Sequence, residues 1–314
     1  MDVGIGMIVF SNGLVSNAAR WKPIKLARLI QKSAVLLFLG ACRTMVLLYF
    51  DYPYDVEEYG MHWNFFYTLA LVKLIGEFVA SRLHVPYANA IVGVAIALAV
   101  QVFLQGEVQE YLFEEPTYRE KGLFSLNREG IVSVVGCLAI FFIATDVGRL
   151  LYRCRRHRWN VAYIAKGIAC LIIIMAVLCY GLDTYGLSPS RRIANSYYVF
   201  WIALLSLTDV FLLLVLTLIA LCFYYRNGLD TNVRTEDHYY LYDGSLWQAI
   251  NASGLSYFLL CNVFTGIVKM STSTVERMSV ETSLAVIFCY ALATSLFARS
   301  QWGHLEAIRW RRMD

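Results

Sequence analysis

A short stretch ahead of an apolar run combines an acid, an imidazole and an amide. Glu58 is followed by His62, Trp63 and Asn64. Imidazole is the side chain that gains and loses a proton near neutral pH. Glu58 and His62 are four residues apart, so on a continuous helix they would lie on the same face, one turn apart. This stretch is the best candidate in the sequence for acid–base chemistry.

A second polar stretch, from Ser190 to Tyr198, contains two adjacent arginines. Arg191 and Arg192 precede a long apolar run that begins after Asn195. A guanidinium group binds a planar phosphate or carboxylate through two hydrogen bonds. The pair is therefore a candidate anion site, and the alternative is a surface pair neutralised by nearby acids.

Asn262 belongs to a third polar cluster, which lies inside an apolar segment. Buried amides of this kind often serve only as contacts between helices, so both a binding and a structural role stay open. The eight cysteines are scattered and form no C-x-x-C pair, which argues against a disulfide framework and a zinc site. We expect no metal and no resident cofactor.

These residues are embedded in a chain of membrane-protein composition. Of its 314 residues, 59% are hydrophobic and only 16% are charged, whereas a soluble domain has about 25% charged residues. Apolar runs of the roughly 20 residues needed to cross a bilayer recur along the whole length. We expect an all-α fold, a polytopic transmembrane helical bundle that forms a single domain over residues 1–314.

The apolar runs predict nine membrane segments. Their expected bounds are 3–16, 33–50, 63–80, 88–105, 131–148, 161–181, 196–224, 248–270 and 283–298.

The connections between these segments alternate in charge. One set carries 17 basic residues and the other set only 7, together with most of the acids. Basic residues accumulate on the cytoplasmic side of a membrane, so we expect a cytoplasmic C-terminus and a lumenal Met1. Residues 20–32 mix apolar and basic residues and predict an interfacial helix.

Among the ionisable residues inside predicted segments, four are candidates for a functional role. They are Arg43, Lys73, Glu77 and Asp209. Intramembrane charges are costly and often functional, so a polytopic transporter is one candidate function. Lys73 and Glu77 are four residues apart on one predicted helix face, and a neutralising pair that orients the bundle is the structural alternative.

Several blocks of the sequence resemble one known family. The N-terminal block runs from Met1 to Val15 and is similar to the family pattern M-D-x-G-x-G-x-x-V-F-S-N-G. The block Glu58–Thr68 resembles E-Y-G-x-H-W-N-F-F-x-T, and further matches lie at Glu129–Ile131, Arg191–Trp201 and Asn262–Gly266. The family is that of the GPI inositol acyltransferases, which comprises the class W phosphatidylinositol-glycan biosynthesis proteins of animals and the GPI-anchored wall transfer proteins of fungi.

The resemblance implies an O-acyltransferase of the endoplasmic reticulum membrane. Its members transfer a fatty acyl group such as palmitoyl from acyl-CoA, a co-substrate, to the inositol ring of glucosaminyl-phosphatidylinositol. It implies these two lipidic substrates as partners, and no nucleic acid. The family also has helices upstream, including a P-R-R-F-A-K-T block, so we expect this chain to be its C-terminal portion. An inactive truncated membrane fragment is the remaining alternative.

The implied reaction assigns a role to each candidate residue. A hydroxyl that attacks a thioester needs a base and donors for the developing oxyanion. We expect His62 to be the base, Glu58 to orient it, and Asp2 to be a second candidate acid or base. The residues expected to bind substrate are Trp63, Asn64, Arg191, Arg192, Asn195 and Asn262.

Overall fold

The computed structural model describes residues 2–50, 56–113, 122–157, 161–226, 245–271 and 279–310. Within these ranges all regular structure is helical, as the sequence predicts. The helices are α1 (Asp2–Leu14), α2 (Leu26–Tyr49), α3 (Val56–Tyr59), α4 (Phe65–Ala80), α5 (Ala88–Phe103), α6 (Glu107–Phe113), α7 (Leu123–Leu126), α8 (Arg128–His157), α9 (Val161–Thr184), α10 (Ser196–Arg226), α11 (Ser245–Ala252), α12 (Gly254–Ser271) and α13 (Val280–Trp310).

Five of these helices are long and apolar enough to cross a membrane. They are Leu26–Tyr49, Arg128–Arg153, Val161–Thr184, Ser196–Ile219 and Val280–Gln301. All nine predicted segments are helical, but α1, α4, α5 and α12 are shorter. The segment predicted at 248–270 is also divided at Ser253 into α11 and α12. The multi-pass membrane character is thus supported, whereas the number of nine spans is not confirmed.

The chain separates into two compact units, Met1–Leu221 and Cys222–Asp314. In the second unit, α11 and α12 pack against α13. The hydroxyl of Tyr290 in α13 donates a 3.3 Å hydrogen bond to the carbonyl of Cys261 in α12.

Helix α8 is the centre of the first unit, and α1, α4 and α5 pack around it. Its apolar span is 78% buried within the protein. Small residues permit this close packing: a side chain at Gly13 of α1 would meet the Phe141 carbonyl, and one at Gly93 of α5 would lie 2.7 Å from the Ala139 carbonyl. Small residues at helix contacts are how membrane helices associate, because lipid supplies no hydrophobic drive between them.

The predicted pairing of Lys73 with Glu77 needs correction. Lys73 and Glu77 do not form an ion pair: Lys73 Nζ donates to Asn12 Oδ1 at 3.5 Å, and Glu77 Oε1 accepts from the Asn17 amide at 3.1 Å. Arg43 and Asp209 lie exposed on the surfaces of their helices.

The predicted interfacial helix over residues 20–32 is also wrong as a separate element. Its helical part begins at Leu26 and continues without a break as α2. The C-terminal residues 311–314, for which the charge bias predicts a cytoplasmic position, lie outside the described residues.

Candidate functional site

The segment that carries His62 is an irregular loop between α3 and α4. Helix α3 ends at Tyr59, and Gly60 has a φ of 99°, a conformation that glycine adopts without steric cost. A side chain at Gly60 would also collide with the Leu126 carbonyl. The chain therefore turns here, and the expectation that His62 follows Glu58 by one helical turn is wrong.

The backbone of His62 forms hydrogen bonds with two other parts of the chain. Its amide donates a 2.8 Å hydrogen bond to Asn127 Oδ1, and its carbonyl accepts a 3.3 Å bond from Thr44 Oγ1. The Met61 amide donates to the Leu126 carbonyl at 2.9 Å. The imidazole itself is half-buried, and among the described residues it has no hydrogen-bond partner. The backbone that carries the ring is thus fixed in position.

Glu58 pairs with an arginine from a distant part of the chain. Its Oε1 lies 3.0 Å from Arg191 Nη2, and 36% of the carboxylate side chain is exposed compared with 10% of Arg191. The guanidinium carbon of Arg191 also lies 5.2 Å from the centre of the Tyr59 ring. Burial raises the pKa of Tyr59 well above its ordinary value, although Arg191 partly opposes the rise.

Arg192 pairs with a different carboxylate, which is more deeply buried than that of Glu58. Its Nη2 lies 2.9 Å from Oε1 of Glu129, whose side chain is fully buried. Both arginines are therefore neutralised by acids, as the alternative proposed from the sequence has it. The pair is not on the surface, however, because only 17% of the Arg192 side chain is exposed.

Aromatic side chains from α6 cover this charged cluster. Phe113 lies 4.9 Å from the Arg192 guanidinium and Tyr111 lies 4.4 Å from that of Arg128, at the distances of cation–π contacts. Sequence patterns did not single out Phe113, Tyr111 or Arg128. Helix α6 has only seven residues, too few for an apolar pattern to identify a helix. The usable signal in the sequence was the position of Arg128 directly before Glu129.

Asn64 and Asn195 act as helix caps. Asn64 Oδ1 accepts from the Phe66 amide at 3.0 Å, at the start of α4, while its Nδ2 donates to the Gly40 carbonyl at 2.9 Å and to Thr44. Asn195 Oδ1 accepts from the Tyr198 amide at 3.0 Å, at the start of α10. Both side chains are buried, and each amide fixes a helix end.

Trp63 is likewise built into the protein. Its Nε1 donates a 2.9 Å hydrogen bond to Thr68, and its ring packs 5.7 Å from that of Tyr67. The ring lies directly against Gly130 of α8, where any side chain would collide with it. Trp63 therefore locks the loop to α4 and α8.

The remaining two candidates are Asp2 and Asn262. Asp2 is the first residue of α1, and its side chain is outside the described part of the structure. Asn262 belongs to the second unit, where its Nδ2 donates to the Phe258 carbonyl at 2.8 Å on an exposed helix face. No group of three His, Cys, Asp or Glu suited to a metal occurs among the described residues.

Three sequence blocks thus meet at one end of the first unit. They are the loop 58–64, the start of α8 and the approach to α10. They bring together the loop that carries the half-buried His62, two arginine–carboxylate pairs and aromatic rings. Such a site could exchange a proton at His62 and offer charged hydrogen-bond donors to an anion.

Comparison with known proteins gives a consistent answer. The family model of GWT1 matches residues 1–300. The chain is 31% identical to GPI-anchored wall transfer protein 1 of Cryptococcus neoformans, over 94% of this chain and 54% of the relative. It is 29% identical to the protein of the same name from Aspergillus fumigatus, over 93% of this chain and 62% of the relative.

A plant relative extends the comparison beyond fungi. An uncharacterised protein of Arabidopsis thaliana is 30% identical over 94% of this chain and 63% of the relative. The chain thus spans between half and two thirds of the length of these curated relatives. Since the family model covers nearly all of it, the chain belongs to the GWT1 family of proteins, whose named fungal members are GPI-anchored wall transfer proteins.

Proposed function

We propose that the chain takes part in GPI-anchor biosynthesis as an O-acyltransferase of the endoplasmic reticulum membrane. The reaction is transfer of a fatty acyl group from acyl-CoA to the inositol ring of glucosaminyl-phosphatidylinositol. Family membership supports a role in GPI biosynthesis. The observation that supports the specific chemistry is the meeting of three distant sequence blocks at the loop that carries the half-buried His62.

His62 is the proposed general base. The inositol hydroxyl oxygen attacks the thioester carbonyl carbon, a C–O bond forms, and the hydroxyl proton passes to a ring nitrogen of His62. The C–S bond then breaks, and the departing CoA thiolate takes that proton. His62 is suited to both transfers because its backbone is fixed by Asn127 and Thr44 while its ring nitrogens are not engaged by the described residues.

Arg191 is the better of the two arginines for a substrate phosphate. Its partner Glu58 is 36% exposed, whereas the Glu129 carboxylate that holds Arg192 is fully buried. A partly exposed pair costs little to open, but opening the buried pair would leave an unpaired charge. We therefore assign phosphate binding to Arg191, with Glu58 as its resting partner, and a structural role to Arg192. Asp2 remains a second proposed acid or base.

The test is acyl transfer in cells that lack the inositol acyltransferase. His62→Ala is compared with His84→Ala, a matched control on an exposed turn. Both variants are made in this chain and in a chimera that carries the remainder of the Cryptococcus relative, because the chain spans 54% of that protein. We expect loss of at least about 100-fold in transfer for His62→Ala and full transfer for His84→Ala. Unchanged transfer by His62→Ala in the active background would exclude it as the base.

A further inference from the structure

The opposite end of the first unit is organised by a buried arginine. Arg149 Nε donates to the Ala18 carbonyl and Nη2 to the Ala80 carbonyl, both at 3.2 Å. Its Nη1 lies 3.1 Å from Oδ1 of Asp146. The other oxygen of Asp146 accepts from the Ala90 amide, at the start of α5, at 2.8 Å. Arg149 and Asp146 together hold the segment after α1, the end of α4 and the start of α5.

A small cleft opens beside this arrangement. It is lined by Pro86, Tyr87, Asp146, Arg149, Leu150 and Arg153. The indole of Trp21 lies 4.6 Å from the Arg149 guanidinium and 5.8 Å from that of Arg153. Arg149 and Arg153 are one helical turn apart, so the indole contacts both on the same face of α8.

Within the described residues, the positive charge at this cleft exceeds the negative charge. Asp146 neutralises Arg149, but no carboxylate among the described residues lies within ion-pair distance of Arg153. Further cations lie nearby along the chain: Arg20, whose guanidinium lies 5.4 Å from the Tyr152 ring, and the exposed Lys22 and Lys25. The excess positive charge favours an anionic ligand.

The surroundings of the cleft are apolar and open. Val85 is 68% exposed and Tyr87 is 65% exposed, and both precede α5. Trp21 is 41% exposed beside the two arginines. Exposed aromatic residues next to cations are typical of the membrane–water interface. An anion bound here would lie beside exposed apolar side chains. A lipid has hydrocarbon chains that can contact these side chains, whereas a free ion has none.

We propose that this cleft binds the phosphate of an anionic phospholipid headgroup. Arg153, which has no carboxylate partner among the described residues, binds the phosphate, and Trp21 and Tyr87 contact the adjoining glycerol and upper acyl chains. The site is separate from the His62 cluster and does not depend on the proposed acyl transfer. It would couple the arrangement of α1, α4 and α5 to the composition of the surrounding leaflet, because Arg149 belongs to both the cleft and the helix contacts.

Thermal unfolding of the detergent-purified full chain tests this proposal. The chain is titrated with phosphatidylglycerol, with phosphatidylcholine and, in a third arm, with inorganic phosphate. We expect phosphatidylglycerol to raise the midpoint of unfolding and the other two additives to leave it near its starting value. Arg153→Gln should weaken the apparent phosphatidylglycerol affinity about fivefold, as expected for one interfacial cation.

Arg82→Gln is the matched control. Arg82 is also a cation at this end of the unit, but it stacks 3.5 Å from the Phe78 ring and is not part of the cleft. Its apparent lipid affinity should stay within twofold of the parent. Equal affinity of the parent and Arg153→Gln, or an equal loss in both variants, would overturn the site. Equal stabilisation by inorganic phosphate would overturn the lipid assignment.

Discussion

Arg192 and Glu129 lie 63 residues apart in the sequence, yet Arg192 Nη2 is 2.9 Å from Glu129 Oε1, and the carboxylate is fully buried. The contact joins the loop before α10 to the first turn of α8, the central helix of the first unit. A buried charge pair contributes little net stability, but removal of one partner leaves an uncompensated charge. The pair therefore fixes which arrangement of these elements is allowed.

Glu129→Gln should destabilise the protein strongly. The change removes the carboxylate charge that faces the guanidinium of Arg192 and should cost about 3 to 5 kcal/mol in the free energy of unfolding, measured by denaturation in mixed micelles. Glu110→Gln, which alters an exposed carboxylate on α6, should cost less than about 0.5 kcal/mol. In the double variant Glu129→Gln with Arg192→Gln, the loss should be smaller than the sum of the single losses. Strict additivity would mean that the pair does not act as a unit.

Asn64→Ala should destabilise the start of α4. The substitution removes the cap of the Phe66 amide and the bonds to Gly40 and Thr44 of α2, so we expect a loss of about 1 to 2 kcal/mol. Asn262→Ala removes an amide whose bond lies exposed within its own helix, and its effect should be near zero. Thermal unfolding of both variants decides this. A similar small shift for both would argue against the capping role.

Gly130→Ala should disturb the site through packing alone. A methyl group at Gly130 would meet the Trp63 ring and lie 2.6 Å from the Tyr59 carbonyl. Overpacking of this kind costs about 1 to 3 kcal/mol. Gly167→Ala is the matched control, because nothing lies within 4 Å of the added methyl and alanine favours a helix over glycine. Quenching of tryptophan fluorescence by a soluble quencher should increase in Gly130→Ala only, and equal quenching in both would contradict the predicted contact.

Tyr59 should make stability fall at alkaline pH. Burial raises the pKa of its phenol above the ordinary value of 10.0, so the unfolded chain loses this proton at a lower pH than the folded chain does. The contribution of the protonated Tyr59 to the free energy of unfolding is fully present below pH 10 and is lost as pH rises above 10. Tyr59→Phe should therefore lose less stability than the parent between pH 9 and about pH 11. Parallel pH profiles of the unfolding midpoint would show that Tyr59 ionises equally in both states.

Sequence patterns predicted the elements of the first unit better than the relations between them. The apolar runs located every long helix, because one helix face after another must be apolar when the solvent is lipid. The predicted number of nine spans is not confirmed, since α4 and α5 are apolar but have only 16 residues each. A run of apolar residues does not reveal whether one helix continues through it or a turn divides it. The run at 248–270 is divided at Ser253.

The candidate site shows the same division. Residue types and block order were sufficient to identify the family and to single out His62, Glu58 and both arginines. The supposed helical relation of Glu58 to His62 failed at Gly60, whose positive φ ends the helix. Periodicity assumes that a helix continues, and here one backbone angle reverses the chain.

The sequence by itself determined that the chain has a membrane-protein composition, that its fold is helical and which side chains the candidate site contains, because these follow from composition and local periodicity. Only the tertiary structure decided the partners: Arg191 with Glu58, Arg192 with Glu129, and Asn64 with Gly40. Each pair joins residues from different elements. Which charges neutralise each other depends on which helix ends are packed together, and that is set by close contacts such as Gly13 of α1 against Phe141 of α8.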